Sequence, residues 1–134
     1  MVIITLAAAA NVVAVAAGDS HSMALLADGR VVAWVKLLND VGVLVDHIVV
    51  SGVTGVSAIA AGDSYTIAMR ENGSVFGLGL GIANESGQLT VPNALKFEDA
   101  NVVAIAAGGK HNLALKSNGE IVAWGSNASG QTNV

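Results

Sequence analysis

Three stretches of this chain repeat one another, and a repeat of this length constrains the fold more tightly than any local propensity does. The segment Val12-Val-Ala-Val-Ala-Ala-Gly-Asp-Ser-His21 returns as Val56-Ser-Ala-Ile-Ala-Ala-Gly-Asp-Ser-Tyr65 and as Val102-Val-Ala-Ile-Ala-Ala-Gly-Gly-Lys-His111, at offsets of 44 and 46 residues. Each copy carries a turn glycine 11 residues beyond its first glycine: Gly18 to Gly29, Gly62 to Gly73 and Gly108 to Gly119. Val31-Val-Ala-Trp34, Val75-Phe-Gly-Leu78 and Ile121-Val-Ala-Trp124 follow, and Asn-x-x-Gly comes after them at Asn39 to Gly42, Asn84 to Gly87 and Asn127 to Gly130. The 134 residues therefore read as one repeat domain of three whole periods, with units of approximately 1–46, 47–91 and 92–134.

Within a unit the apolar period is two rather than 3.6. Val12, Ala14 and Ala16 face one way and Val13, Val15 and Ala17 the other, a pattern expected of a strand buried on both faces. Asp28-Gly29, Asn72-Gly73 and Asn118-Gly119 separate two further strands, and such dipeptides predict a tight type I′ hairpin. A following strand, Leu89 to Val91 in the second unit, brings the count to four. Four antiparallel strands in about 45 residues make one blade of a β-propeller, so the expected fold is all-β with three four-stranded blades. The Ala-Ala-Gly ends of the first strands are expected where innermost strands converge. Trp34 and Trp124 are expected to fill the wedge where blades splay.

Composition narrows the function classes. Only 12% of residues are charged and 53% are hydrophobic, so most of the chain must be buried. Six Lys and Arg against ten Asp and Glu leave a net charge of −4, which offers no field for a polyanion, and nucleic acid is not an expected partner. With no Cys there is neither a disulfide framework nor thiolate chemistry. Val2, Ile3, Ile4 and Leu6 before Ala7 to Ala10 mimic a signal peptide's apolar core, but no Lys or Arg precedes them and the stretch falls into register with the later copies. Asn11, Gly18 and Asp19 interrupt it too early for a membrane span of about 20 residues. No membrane partner is expected, and secreted and cytoplasmic locations are both compatible.

No catalytic, cofactor or metal residue is predicted. His21 and His111 are copies of one repeat position, filled by Tyr65 in the second unit, and are expected to hydrogen-bond backbone between blades. His47 beside Asp46 reads as a partly buried, satisfied side chain. Glu98-Asp99 reads as a solvated connection, since adjacent strand residues point to opposite faces. Gly77-Leu-Gly-Leu-Gly81 lacks the Lys and the helix of a phosphate loop. Asn72-Gly-Ser74, Asn84-Glu-Ser86 and Asn127-Ala-Ser129 are glycosylation sequons, two of which coincide with the repeat's own asparagine. What remains is a rim of loops: Asp19, Ser20, Lys36, Asp40, Asp63, Ser64, Asn84, Glu85, Ser86, Lys110, Ser126, Asn127 and Ser129 are the candidate protein-binding residues. Gly18, Gly62, Gly108, His21, Tyr65, His111, Trp34 and Trp124 are the candidate structural positions.

The third unit carries Ala106-Ala107-Gly108, His111, Ala114-Leu115, Asn118-Gly119 and Trp124-Gly-Ser-Asn127-Ala-Ser-Gly130-Gln131. This pattern resembles the repeat of the regulator of chromosome condensation family, in the wording of its bacterial members. The resemblance covers nearly the whole chain and implies a bladed β-propeller, usually of seven blades, that acts as a protein-binding platform. The first unit departs from it in Trp34-Val-Lys-Leu-Leu-Asn39 and Val43, and the second in Tyr65 and Leu78. The family includes an exchange factor, a photoreceptor and a secreted inhibitor of β-lactamases, so an inhibitor is the first alternative to a scaffold. A fragmentary or engineered propeller with no dedicated ligand is the second. Three blades leave two open flanks, and closure by oligomerisation is expected, most simply as a dimer of three-blade chains.

Overall fold

The computed structural model describes residues 11–38, 40–50, 52–79 and 85–134. They form ten strands: β1 (Val12–Ala17), β2 (His21–Leu26), β3 (Val31–Leu38), β4 (Leu44–Val50), β5 (Val56–Ala61), β6 (Tyr65–Arg70), β7 (Val75–Gly79), β8 (Val102–Ala107), β9 (His111–Lys116) and β10 (Ile121–Gly125). Consecutive strands pair antiparallel in three sheets, β1-β2-β3-β4, β5-β6-β7 and β8-β9-β10. No helix among the described residues is long and apolar enough to cross a membrane.

The sheets correct the expected strand count. Only the first has four strands among the described residues: the apolar run after Gly42 forms β4, paired with β3 from Val32 opposite Val50 to Leu38 opposite Leu44. β4 runs through residue 46, so the first sheet extends to Val50. In the second unit the expected strand at Leu89 to Val91 is not one. Gly87 is left-handed at φ +73°, and Thr90 N–H donates back to its carbonyl at 2.9 Å. Pro92, which follows, has no N–H to offer a ladder.

The hairpin turns also differ from expectation. A type I′ turn needs positive φ at both central residues, but only the glycines have it, Gly29 at +82°, Gly73 at +81° and Gly119 at +87°. In the first sheet Gly29 N–H donates to Leu26 O and Leu26 N–H to Arg30 O, both at 2.9 Å, which closes a three-residue loop with the glycine in a bulge. The preceding Asp or Asn then has a definite task. Its side-chain oxygen accepts the N–H two residues on, at 3.0 Å in Asp28 to Arg30, Asn72 to Ser74 and Asn118 to Glu120.

Inner strands β1, β5 and β8 are not buried on both faces as their apolar content predicts. Each carries a bulge after its first residue, between Val12 and Ala14, Val56 and Ala58, and Val102 and Ala104. The bulge breaks the alternation and turns Val13, Ser57 and Val103 out to solvent.

The core lies between sheets. Met23, Leu25, Val31 and Ala33 of the first sheet pack against Val56, Ile59, Ala61, Ala68, Phe76 and Leu78 of the second. Tyr65, Ile67 and Val75 on the second sheet's other face meet Val102, Ala114 and Trp124 of the third. Two 3-10 turns, Asn93–Leu95 and Glu98–Ala100, deliver Leu95 and Ala100 into that second layer beside Val91. Each large side chain sealed there contributes about 1.5–3 kcal/mol of transfer free energy.

Candidate protein-binding rim and the seams beneath it

Each inner strand ends in Ala-Ala-Gly, and the local reason differs from simple convergence on an axis. A Cβ on Gly62 would collide with the Tyr65 ring, and one on Gly108 with the His111 ring. One on Gly18 would meet both the His21 ring and the Gly62 carbonyl of the next sheet. The glycine is bare because the aromatic residue three positions later lies back over it.

That fold-back presents the intervening pair at the rim, and the three pairs join. Ser20 N–H donates to Asp63 O at 3.3 Å, and Asp63 N–H to Gly109 O at 3.1 Å. Ser20 Oγ also donates to Asp63 O at 2.9 Å and lies 3.1 Å from Ser64 Oγ. Lys110 Nζ pairs with Glu85 Oε2 at 3.2 Å, and Lys110 O accepts Ser126 N–H at 2.8 Å. The structure thus joins Ser20 with Asp63 and Ser64, and Lys110 with Glu85 and Ser126; Asp19 is exposed beside Ser20. Asn127 and Ser129 lie in the turn that follows Ser126, where Asn127 Oδ1 accepts Thr132 N–H and Gln131 Oε1 accepts Ser129 N–H. Ser86 N–H is likewise tied to Gln88 Oε1. Asp40 is exposed in the β3–β4 turn. Lys36 is a correction: it is a residue of β3, opposite Asp46 of β4, and not of a loop. Asn84 lies outside the described residues.

Beneath the rim the aromatic position forms a seam to the next sheet. His21 Nε2 lies 3.2 Å from Thr66 Oγ1 of the next sheet. Tyr65 OH faces Gly108 O at 3.1 Å, His111 O at 3.0 Å and Asn112 Oδ1 at 2.9 Å, and its single proton is shared among them. Burial holds the His21 imidazole below its ordinary value, against a smaller upward pull from the backbone of Asp63 and Tyr65. Burial pushes the Tyr65 phenol up to about 12, with the Asp63 charge adding to it.

Gln88 was not singled out by the sequence reading, yet it anchors the second seam. Its carbonyl accepts Asn112 Nδ2 at 2.7 Å and Trp124 Nε1 at 3.0 Å. The signal available was the recurring Gly-Gln of Gly87-Gln88 and Gly130-Gln131. Hairpin carbonyls complete each seam: Val56 N–H donates to Gly29 O at 3.3 Å and Val102 N–H to Gly73 O at 3.2 Å. Glu98 and Asp99 form a 3-10 turn, and no group of His, Asp and Glu suited to a metal ion occurs among the described residues. His47 stands opposite Val35 in the β3–β4 ladder.

Consecutive antiparallel sheets, stacked face to face with their first strands side by side, define a segment of a β-propeller. The family model for the Regulator of chromosome condensation (RCC1) repeat matches residues 12–34 and 102–131, so these two stretches are similar to repeats of that family. No curated protein matches the chain in sequence. Among solved structures it is similar to Prp20p from Saccharomyces cerevisiae, at 26% identity and a TM-score of 0.66 over 92% of this chain and 32% of that one. It is also similar to human WBSCR16, at 25% identity and a TM-score of 0.68 over 95% of this chain and 37% of that one. The CRINKLY WD40 ectodomain of the Arabidopsis thaliana receptor kinase ACR4 shares the fold, at 24% identity and a TM-score of 0.65 over 90% of this chain and 42% of that one. The chain thus spans about a third of the length of the yeast and human proteins it resembles.

Proposed function

We propose that this chain is a non-enzymatic protein-interaction module of propeller type, whose ring is completed by association with itself or a partner and whose binding face is the rim around Asp19, Ser20, Asp63, Ser64 and Lys110. The observation that carries this reading is the joining of the three post-glycine turns, from Ser20 through Asp63 to Gly109, into one continuous edge. Adjacent loops held in register by backbone hydrogen bonds present a preorganised surface, which lowers the ordering cost of binding. Asp19 and Asp63 supply negative charge there, while Glu85 is paired with Lys110, in a chain with a net charge of −4, which favours a basic protein over a nucleic acid. Two structures of one neighbour support a protein partner: Prp20p was studied for binding to Gsp1p and histones, and the same yeast protein was solved bound to Kap60.

The test uses core histones as a basic protein probe, titrated against the immobilised chain at several salt concentrations. Binding that weakens with salt and is lost in the double variant Asp19→Lys and Asp63→Lys supports the rim as the binding face. Histone binding that is unchanged in that variant removes the rim from the reading.

A further inference from the structure

Resting on the closure reading above, we propose that two copies of this chain close one six-bladed ring head to tail, the third sheet of each docking onto the first sheet of the other through the same seam that already occurs twice within the chain. A seam has a giving side and a receiving side, and the repeat identifies the residues on each. From the first sheet to the second it joins Gly29 O to Val56 N–H and His21 to Thr66; from the second to the third it joins Gly73 O to Val102 N–H, Tyr65 to Asn112 and Gln88 O to Trp124 Nε1. The third sheet's corresponding givers are Gly119 O, His111 and Gln131 O. The first sheet's receivers are Val12 N–H, Ser22 and Trp34 Nε1.

Exposure at equivalent positions shows both sides standing open. On the receiving side Val12 is 42% exposed, whereas Val56 and Val102 are 3% and 5% exposed. Ser22 is exposed where Thr66 and Asn112 are fully buried. On the giving side Ile121 is 50% exposed, whereas Val31 and Val75 are 2% and 1% exposed, and Leu115 is exposed where Leu25 is buried. The two open faces are therefore the separated halves of one interface. A docking of like on like would set two giving faces together, leaving every seam donor and acceptor mismatched.

A polar atom points the same way. The Trp34 Nε1 is buried without a hydrogen-bond partner, whereas its counterpart on Trp124 donates to Gln88 O of the preceding sheet. The Gln131 carbonyl of the other copy is the acceptor the repeat assigns to it. Two such heterologous seams related by a half-turn close the assembly, so no further copy adds.

The test is sedimentation equilibrium of the intact chain, of Leu115→Asp, which blocks the giving face, of Val15→Asp, which blocks the receiving face, and of their equimolar mixture. Both positions are exposed, so both variants keep their fold. The expected wild-type particle has twice the 13.3 kDa chain mass, and each variant alone has the chain mass. The mixture is expected to re-form dimer, because one of its two seams pairs two unaltered faces, with an affinity at least about tenfold above either variant alone. A wild-type chain that stays at the single-chain mass overturns the closure reading itself. A wild-type dimer in which only one variant dissociates, or a mixture that stays monomeric, overturns the head-to-tail seam alone. Trp34→Phe is expected to weaken the dimer about tenfold, since one hydrogen bond to a buried acceptor is lost; an unchanged dimer overturns the indole contact.

Discussion

The Tyr65 hydroxyl lies 2.9 Å from Asn112 Oδ1 in the next sheet, and the same two repeat positions in the preceding seam are His21 and Thr66, 3.2 Å apart. One backbone geometry thus accepts two different chemical latches. The phenol reaches three oxygens of the neighbour and the imidazole reaches one, so the two seams respond differently to loss of the latch and to pH.

Tyr65→Phe keeps the ring over Gly62 and removes only the hydroxyl, so the one proton that Gly108 O, His111 O and Asn112 Oδ1 share is lost, while His111 O keeps the Gly108 N–H. The expected loss is about 1–3 kcal/mol, read from the urea midpoint. The phenol also titrates at about 12 in the folded chain against its ordinary 10.0. The unfolded chain therefore loses its proton first, and wild-type stability falls as pH rises from 10 towards 12. That alkaline loss is expected to be absent in Tyr65→Phe. An equal loss in both proteins would detach it from the latch.

His21 gives the acid counterpart. Its folded imidazole is held below the ordinary 6.5 by burial, so between that lowered value and 6.5 the unfolded chain binds more protons than the folded one. Stability is complete above pH 6.5 and is lost as pH falls through the folded value. Denaturant melts from pH 8 to 5 are expected to show the decline in wild type and a flatter profile in His21→Gln. Parallel profiles would assign the decline to other groups.

Much of this was legible because a repeat reports position three times over. The Ala-Ala-Gly register, the hairpin at Asp28-Gly29 and the equivalence of His21, Tyr65 and His111 all follow from the alignment of the chain with itself. What escaped was set by neighbours outside that register. Type I′ geometry was read from the dipeptide alone, but the Asp28 side chain captures Arg30 N–H and leaves only Gly29 left-handed. The strand expected at Leu89 to Val91 has the right residue types, yet Gly87 and Pro92 on either side withhold the extended ladder. Lys36 looked like a loop residue because the motif lapses after Trp34, while the apolar segment up to Val50 supplied the partner strand that extended β3 through it. Gln88 was missed because its contribution is a backbone carbonyl, which residue identity does not advertise.

Two glycine substitutions separate a required glycine from a free one. A Cβ at Gly62 enters the Tyr65 ring, whereas at Gly52 it meets nothing within 4 Å. Gly62→Ala is expected to destabilise by about 1–3 kcal/mol through displacement of the latch. Gly52→Ala is expected to be neutral or slightly stabilising, since it only narrows the unfolded ensemble. Thermal melts of the two variants side by side would decide it, and equal midpoints would show that the ring does not need its bare glycine.

Trp124 closes the second seam in two ways that one pair of variants can separate. Its ring is 7% exposed and packs in the layer with Leu95, Val91 and Val102, while its Nε1 donates to Gln88 O at 3.0 Å. Trp124→Ala removes both and is expected to cost about 3–5 kcal/mol, the range for deleting a large buried ring. Trp124→Phe keeps most of the ring and loses the donor, but Asn112 Nδ2 still occupies the Gln88 carbonyl, so no acceptor is stranded. Its cost is expected to be about 1 kcal/mol for the hydrogen bond, plus a smaller term for lost volume. Leu78 at the equivalent place in the first seam shows that the position tolerates an aliphatic side chain with no donor when the surroundings are packed around it. Denaturation of Trp124→Ala at the wild-type midpoint would remove the ring from the seam, and a Trp124→Phe as unstable as Trp124→Ala would show that the indole N–H, and not its bulk, holds the two sheets together.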